Sequence, residues 1–162
     1  VAKHLHLPFQ SGSDRVLKAM NRHYDRATYL NLINEAKKAR EKAYTPYSNF
    51  MVGAALVTKD GKIYHGCNIE NAAYTPTNCA ERTAFFRAVY EGEREFSKIA
   101  VVGAPKGTEA DLLTAPCGVC RQVMMEFCDP DTFRILLTNG KEVRTYTLAE
   151  LLPLGFGPSK LD

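Results

Sequence analysis

The sequence predicts one α/β domain, built as three α/β/α layers with helices on both faces of a mixed five-stranded β-sheet. Segments of helical and of strand periodicity follow one another in the order α-β-β-α-β-α-β-β-α, which is typical of this layered class. The chain has 162 residues, 45% hydrophobic and 24% charged, which suits a single globular domain and excludes disorder and a coiled coil. Its apolar runs are too short to span a bilayer, so we expect no membrane partner.

The first helix and the first hairpin follow directly from the pattern. Apolar residues return every three or four positions over Thr28–Ala43, which predicts an amphipathic helix. The helix is expected to end before Pro46, because proline disfavours helical geometry in the residue ahead of it. Two strand-like runs, Phe50–Thr58 and Lys62–Ile69, are joined by Asp60-Gly61, and Asp-Gly is a strong hairpin turn.

The second half of the chain repeats these patterns. A glycine ends one helix, a proline occupies the first turn of another, β-branched residues mark a buried strand, and Asn139-Gly140 joins a second hairpin. The predicted segments are, in order, a helix at 78–90, a strand at 98–104, a helix at 116–127, strands at 133–138 and 142–147, and a short helix at 148–152.

The net charge of +3 is confined to the start of the chain. Residues 1–26 hold five Lys and Arg residues against two Asp residues, whereas the remaining residues are balanced in charge. We therefore predict an N-terminal extension at 1–26 without a catalytic role, and a domain at 27–162. Because that domain is neutral, we expect no nucleic-acid polymer as its partner.

Three cysteines stand at a spacing typical of a zinc site. Cys117 and Cys120 are three positions apart, so they share one face at the start of a helix. Cys79 stands at the start of another predicted helix, and helix N-termini favour the thiolate that zinc requires. Three protein ligands leave one tetrahedral position open, which is the pattern of a catalytic zinc site.

Two charged residues beside Cys79 complete the predicted chemistry. Glu81 lies two positions past Cys79, within reach of a water on the metal, and we predict that it acts as general base and then general acid. Three thiolates on Zn²⁺ leave a net negative charge that opposes ionisation of this water. Arg82 and Arg121 each adjoin a ligand motif; we favour Arg82 as the charge-balancing residue because it also neighbours Glu81.

The motifs C-A-E and P-C-x-x-C, with N-I-E-N ahead of them, resemble the small zinc-dependent cytidine deaminases in their three-cysteine form. The resemblance extends over residues of about 28–157 and includes the segments at 44–50, 52–55, 66–74 and 120–123. It implies the cytidine-deaminase fold, with Zn²⁺ held by Cys79, Cys117 and Cys120. It also implies a cytoplasmic homotetramer that acts in pyrimidine salvage. This enzyme would remove the amino group of cytidine or deoxycytidine by hydrolysis to give uridine or deoxyuridine.

The same resemblance implies roles for individual residues. Glu81 would carry protons to the ring nitrogen and to the departing amine. The residues implied in substrate binding are Asn68 and Glu70 at the ribose hydroxyls, Phe50 beside the base, the backbone N–H of Ala80 at the base edge, and Phe156 reaching into a neighbouring subunit's site.

Residues 4–24 resemble a stretch of the radical-SAM tRNA methylthiotransferases. That class needs a C-x-x-x-C-x-x-C cluster motif and a full barrel. The spacing of Cys117 and Cys120 does not provide this motif, so we do not expect the extension to carry that chemistry.

Three alternatives remain open at the level of sequence. The first is an enzyme that deaminates a cytosine-containing antibiotic of the blasticidin type, which shares the motifs. The second is a non-enzymatic module that zinc stabilises, and the third is a closed structural zinc site with Cys67 as a fourth ligand. The odd number of cysteines, five, and the absence of an apolar leader favour a reducing, cytoplasmic compartment.

Overall fold

The computed structural model describes residues 26–161. The helices are α1 (Arg26–Arg40), α2 (Ala80–Tyr90), α3 (Gly118–Phe127) and α4 (Leu148–Leu151), followed by a 3₁₀ turn at Pro158–Lys160. The strands are β1 (Phe50–Thr58), β2 (Ile63–Cys67), β3 (Phe96–Pro105), β4 (Arg134–Thr138) and β5 (Val143–Thr147). The predicted extension lies outside the described residues apart from Arg26, as does the whole segment 4–24, and the domain boundary stays a prediction.

The five strands form one mixed sheet in the order β2-β1-β3-β4-β5. β1 pairs antiparallel with both β2 and β3, β3 pairs parallel with β4, and β4 pairs antiparallel with β5. Parallel neighbours need a crossover connection, and α3 lies in the segment that joins β3 to β4. The predicted mixed five-stranded sheet is therefore confirmed.

Helices cover both faces of this sheet. Side chains alternate between the faces along a strand, so Ala54 and Leu56 of β1 pack in the cluster that contains α2, α3 and α4. Ala55 packs on the opposite face, in the cluster that contains α1. The predicted three layers are confirmed. Within residues 26–161, no helix is both long and apolar enough to cross a membrane.

The helix starts differ from the predicted ones in a way that matters for the site. The helices predicted at 78–90 and 116–127 begin two residues later, at Ala80 and Gly118. The residue before each start is a cysteine with extended backbone angles: φ −75° and ψ 156° at Cys79, and φ −68° and ψ 167° at Cys117. Both cysteines are thus N-cap residues, whose side chains project from the end of the helix instead of from its side.

Candidate active site

Two helix ends bring three sulfur atoms together. Cys79 caps α2, Cys117 caps α3, and Cys120 lies in the first turn of α3. The Sγ atom of Cys117 lies 3.8 Å from that of Cys79 and 3.5 Å from that of Cys120. All three sulfurs lie within 4.8 Å of one another, so this group can hold a metal ion.

The sulfur group is open on one side. Cys120 is buried, Cys79 is half-buried and Cys117 is exposed. Cys67 does not belong to the group, because its thiol lies on β2 and donates to the carbonyl oxygen of Lys42 at 3.3 Å. The described residues therefore offer three sulfur ligands, with Cys67 engaged elsewhere.

The Arg82 guanidinium contacts this group directly. Its Nη2 atom donates to the Cys79 sulfur and to the Thr77 carbonyl oxygen, each at 3.4 Å. A hydrogen bond from the Cys120 thiol, with help from Arg82, lowers the pKa of Cys79 to about 5. Arg121 is used differently: it donates to the carbonyl oxygens of Pro116 and Leu151 at 2.7 and 2.6 Å.

Glu81 is buried beside the sulfurs, in the first turn of α2. It is 4% exposed, and this burial raises the pKa of its carboxyl to about 7, with a further upward contribution from the charge of Cys79. A carboxyl with a pKa near neutrality can both accept and return a proton at working pH. Such a group is suited to general acid–base chemistry.

The residues present fit a zinc ion. Thiolates are soft ligands that zinc accepts readily, and three of them leave a position free for a reactant. The positive ends of the α2 and α3 dipoles both favour thiolates at this point. The Nε atom of Arg82 is also buried without a hydrogen-bond partner among the described residues, so this guanidinium still has a donor to offer beside the sulfurs.

The predicted sugar-binding residues hold the backbone around the start of β1. The Asn68 amide accepts from the Val52 N–H at 2.8 Å and donates to the Phe50 carbonyl oxygen at 2.9 Å. The Glu70 carboxylate accepts from the N–H groups of Tyr47 and Ser48 at 2.9 and 3.2 Å, and also from the Ser48 hydroxyl. These bonds lower the pKa of Glu70, with the Ser48 hydroxyl as the main cause.

A cavity of about 380 Å³ opens next to Glu70. It is lined by Tyr47, Ser48, Glu70, Tyr74 and Thr77, and the Thr77 carbonyl oxygen accepts from the Arg82 that contacts Cys79. The cavity therefore lies beside the predicted sugar-binding carboxylate, and its lining residue Thr77 contacts the arginine that reaches the Cys79 sulfur.

The other predicted contacts lie in different settings. Phe50 begins β1 and is half-buried, and Ala80 is the buried first residue of α2, where backbone N–H groups lack a partner within the helix. Phe156 is 56% exposed, and its carbonyl oxygen accepts from the side chain of Gln122 on α3. The structure thus brings Cys79, Cys117, Cys120, Glu81 and Arg82 together, whereas Phe156 lies on the surface of the chain.

Sequence reasoning assigned no role to Tyr47 or Tyr74. Their rings meet edge to face with centroids 6.1 Å apart, and Tyr74 is held at a φ of 57°. A bulky residue in the left-handed region costs roughly 1–3 kcal/mol and is a feature of functional sites. The signal in the sequence that could have identified them is their position in the segments 44–50 and 66–74, which also contain Phe50, Asn68 and Glu70.

Comparisons with known proteins agree with this geometry. Residues 26–135 match the family described as the cytidine and deoxycytidylate deaminase zinc-binding region. A cytidine deaminase of Sporosarcina psychrophila is 55% identical over 132 residues, which cover 81% of this chain and 93% of that protein. The crystal structure of a cytidine deaminase from Burkholderia pseudomallei is 56% identical, with a TM-score of 0.71 over 78% of this chain and 98% of that one.

A blasticidin-S deaminase of Bacillus cereus is more distant. It is 39% identical over 108 residues, which cover 65% of this chain and 76% of that protein.

Proposed function

This chain belongs to the zinc-binding cytidine deaminase family, and on that basis we propose that it hydrolyses cytidine and deoxycytidine to uridine and deoxyuridine, releasing ammonia. The observation that carries the proposal is the triangle of sulfurs from Cys79, Cys117 and Cys120 beside the buried carboxyl of Glu81. A structural zinc site needs no buried acid of this kind, whereas a hydrolytic one does.

The three cysteines would hold the zinc ion, which when bound supplies the Lewis-acid chemistry that makes water a nucleophile near neutral pH. Glu81 moves the protons. It accepts one proton as the water oxygen bonds to C4 of the cytosine ring, and it delivers that proton to the ring nitrogen N3. It then takes the second proton of the water to the amino group, the C4–N bond breaks, and ammonia leaves as the carbonyl of uracil forms.

Arg82 would balance the charge of the thiolates. Its guanidinium contacts the Cys79 sulfur at 3.4 Å, so it can offset the excess negative charge of three thiolates around a divalent ion. Arg121 is engaged by two carbonyl oxygens. This difference in contacts supports Arg82 in the role.

The nucleoside would place its sugar in the cavity beside Glu70 and direct its base toward the sulfur group. Glu70, supported by Asn68, would accept hydrogen bonds from the ribose hydroxyls. Phe50 would pack beside the base, and the Ala80 N–H would donate to the base edge. The bonds that Glu70 and Asn68 make to 47–52 support this assignment, because they orient both side chains before the substrate arrives.

We propose a homotetramer in the cytoplasm, with Phe156 of each chain at a neighbour's site. Large apolar side chains on the surface of the chain support an assembly: Tyr90 is 91% exposed and Phe156 is 56% exposed. Light scattering measures the mass directly. A monomeric mass under assay conditions would contradict the tetramer and the role of Phe156.

Activity is tested with the zinc-loaded protein and a panel of cytidine, deoxycytidine and blasticidin S, with ammonia release as the readout. We expect turnover of both nucleosides. Turnover of blasticidin S alone would show that the antibiotic, and not a nucleoside, is the substrate. The absence of ammonia release from all three compounds would overturn the deaminase proposal.

A further inference from the structure

The first turn of α2 lies directly on a glycine of the sheet. A methyl group built on Gly66 of β2 would lie 2.2 Å from the Ala80 carbonyl oxygen, 2.4 Å from the Ala84 backbone nitrogen and 2.9 Å from the Ala84 methyl carbon. All three atoms belong to α2, and two are backbone atoms that cannot rotate away. Because ordinary carbon contacts lie at about 3.5–4.0 Å, any side chain here would push this end of α2 off the sheet by roughly 1 Å.

That end of α2 carries one half of the candidate active site. Cys79 caps the helix and Glu81 lies in its first turn, whereas Cys117 and Cys120 belong to α3. A displacement of α2 would therefore change the distance between Cys79 and the other two sulfurs. Metal sites tolerate ligand distances within only about 0.2 Å of their usual values, so the height of α2 above the sheet matters for metal binding.

We propose that Gly66 is a positioning residue for the zinc site: its missing side chain sets how closely α2 approaches the sheet, and through α2 the place of Cys79 and Glu81 relative to Cys117 and Cys120. This inference rests on the zinc site proposed above. Gly66 has no side chain with which to bind a metal ion. Its effect passes through the backbone of Ala80 and Ala84.

The chain contains a matched control on the opposite face of the sheet. A methyl group on Gly53 of β1 would lie 2.1 Å from the Ala36 carbonyl oxygen and 2.3 Å from the Arg40 backbone nitrogen. The clash is as severe as that at Gly66, but it involves α1, which carries no residue of the sulfur group. Gly53→Ala therefore reproduces the steric clash between helix and sheet without displacing a cysteine of the sulfur group.

The experiment measures the zinc dissociation constant of the full chain by competition with a chromogenic chelator, alongside urea unfolding of the metal-free protein. We expect Gly66→Ala and Gly53→Ala to lower the stability of the metal-free protein to a similar extent. Only Gly66→Ala should raise the zinc dissociation constant, by about 10-fold or more, as changes next to metal ligands do. Equal dissociation constants for the two variants would overturn the proposal.

Ala84→Val provides a second variant should Gly66→Ala fail to fold. The Ala84 methyl carbon lies close above Gly66, 2.9 Å from where a methyl group on Gly66 would be, so two further methyl groups on residue 84 would crowd the sheet and a smaller rise in the zinc dissociation constant is expected. A folded Ala84→Val protein with wild-type zinc affinity would also overturn the proposal. A wild-type chain that takes up no zinc would instead contradict the proposed function, so the two failures are distinguishable.

Discussion

The Nη2 atom of Arg82 lies 3.4 Å from the sulfur of Cys79, on the same helical turn. Arg121, which directly follows another cysteine of the group, donates instead to the carbonyl oxygens of Pro116 and Leu151. The two arginines adjoin the same site but differ in the atoms that their guanidinium groups contact. Of these two arginines, it is Arg82 that places a positive charge against a sulfur.

Arg82→Gln should weaken catalysis while leaving zinc bound. The thiolates then lack a compensating charge, so the water ionises less readily, and one nearby charge shifts a pKa by about 1–3 units. In a plot of kcat against pH, we expect the rise on the acidic side to move to higher pH. At a pH on the acidic side of this rise, kcat should fall about 10-fold or more. Arg82→Lys should recover much of the loss.

Arg121→Gln is the matched control for this charge effect. It removes the same group, but from carbonyl oxygens instead of a sulfur, so the pH profile should keep its position. An unshifted profile in Arg82→Gln, or an equal shift in both variants, would show that charge balance does not depend on Arg82.

Glu81→Gln should separate metal binding from proton transfer. Glutamine keeps the size of the buried side chain but cannot accept and return a proton, so we expect kcat to fall by about 10²–10⁴-fold. The zinc content should stay equal to that of the wild type, because Glu81 is not part of the sulfur group. Glu126→Gln, at an exposed position of α3, is the control; wild-type kcat in Glu81→Gln would remove Glu81 from the mechanism.

Glu70→Gln tests whether this carboxylate binds the sugar or only supports the loop at Tyr47 and Ser48. The comparison uses cytidine and 2′,3′-dideoxycytidine, which lacks the two ring hydroxyls. A hydrogen bond to a charged group contributes about 1.5–3 kcal/mol, so Glu70→Gln should lose about 10-fold or more in kcat/KM for cytidine and little for the dideoxy analogue. An equal loss for both substrates would assign Glu70 to loop support alone.

The contacts of Glu35 with Lys38 and His65 predict a pH dependence of stability. Its carboxylate accepts from Lys38 at 2.6 Å and contacts the His65 ring at 2.7 Å. These contacts, Lys38 first, lower the pKa of Glu35 below its ordinary value of 4.5. A lowered pKa in the folded state adds stability above the ordinary value, and this stability is lost as the pH falls through the folded value.

Glu35→Gln should therefore lower the Tm at neutral pH, and the difference from wild type should shrink as the pH falls below about 4.5. Thermal unfolding followed by circular dichroism over this range measures it. Glu126→Gln, at an exposed position of α3, is the control for the substitution itself. A Tm difference that stays constant down to acid pH would exclude a contribution from the ionised Glu35.

The order and type of the elements follow from the sequence alone, as does the prediction of three cysteines that could hold a metal ion. Helical periodicity, alternating strands and the turns at Asp60-Gly61 and Asn139-Gly140 are local properties, and the observed strand Phe50–Thr58 matches its predicted bounds. The C-A-E and P-C-x-x-C motifs are local as well. They favour a zinc hydrolase because cysteines at helix starts are suited to bind zinc and the neighbouring acid can move protons.

The contacts between side chains that are far apart in the sequence depend on the tertiary structure. Cys79 and Cys117 stand 38 positions apart, and their sulfurs converge because the sheet seats α2 and α3 side by side on one face. The different partners of Arg82 and Arg121, and the contact between Gly66 and α2, also depend on packing between segments far apart in the chain. Periodicity in the sequence shows which face of a helix or strand is buried. Which other element covers that face depends on how the side chains pack together in the folded core.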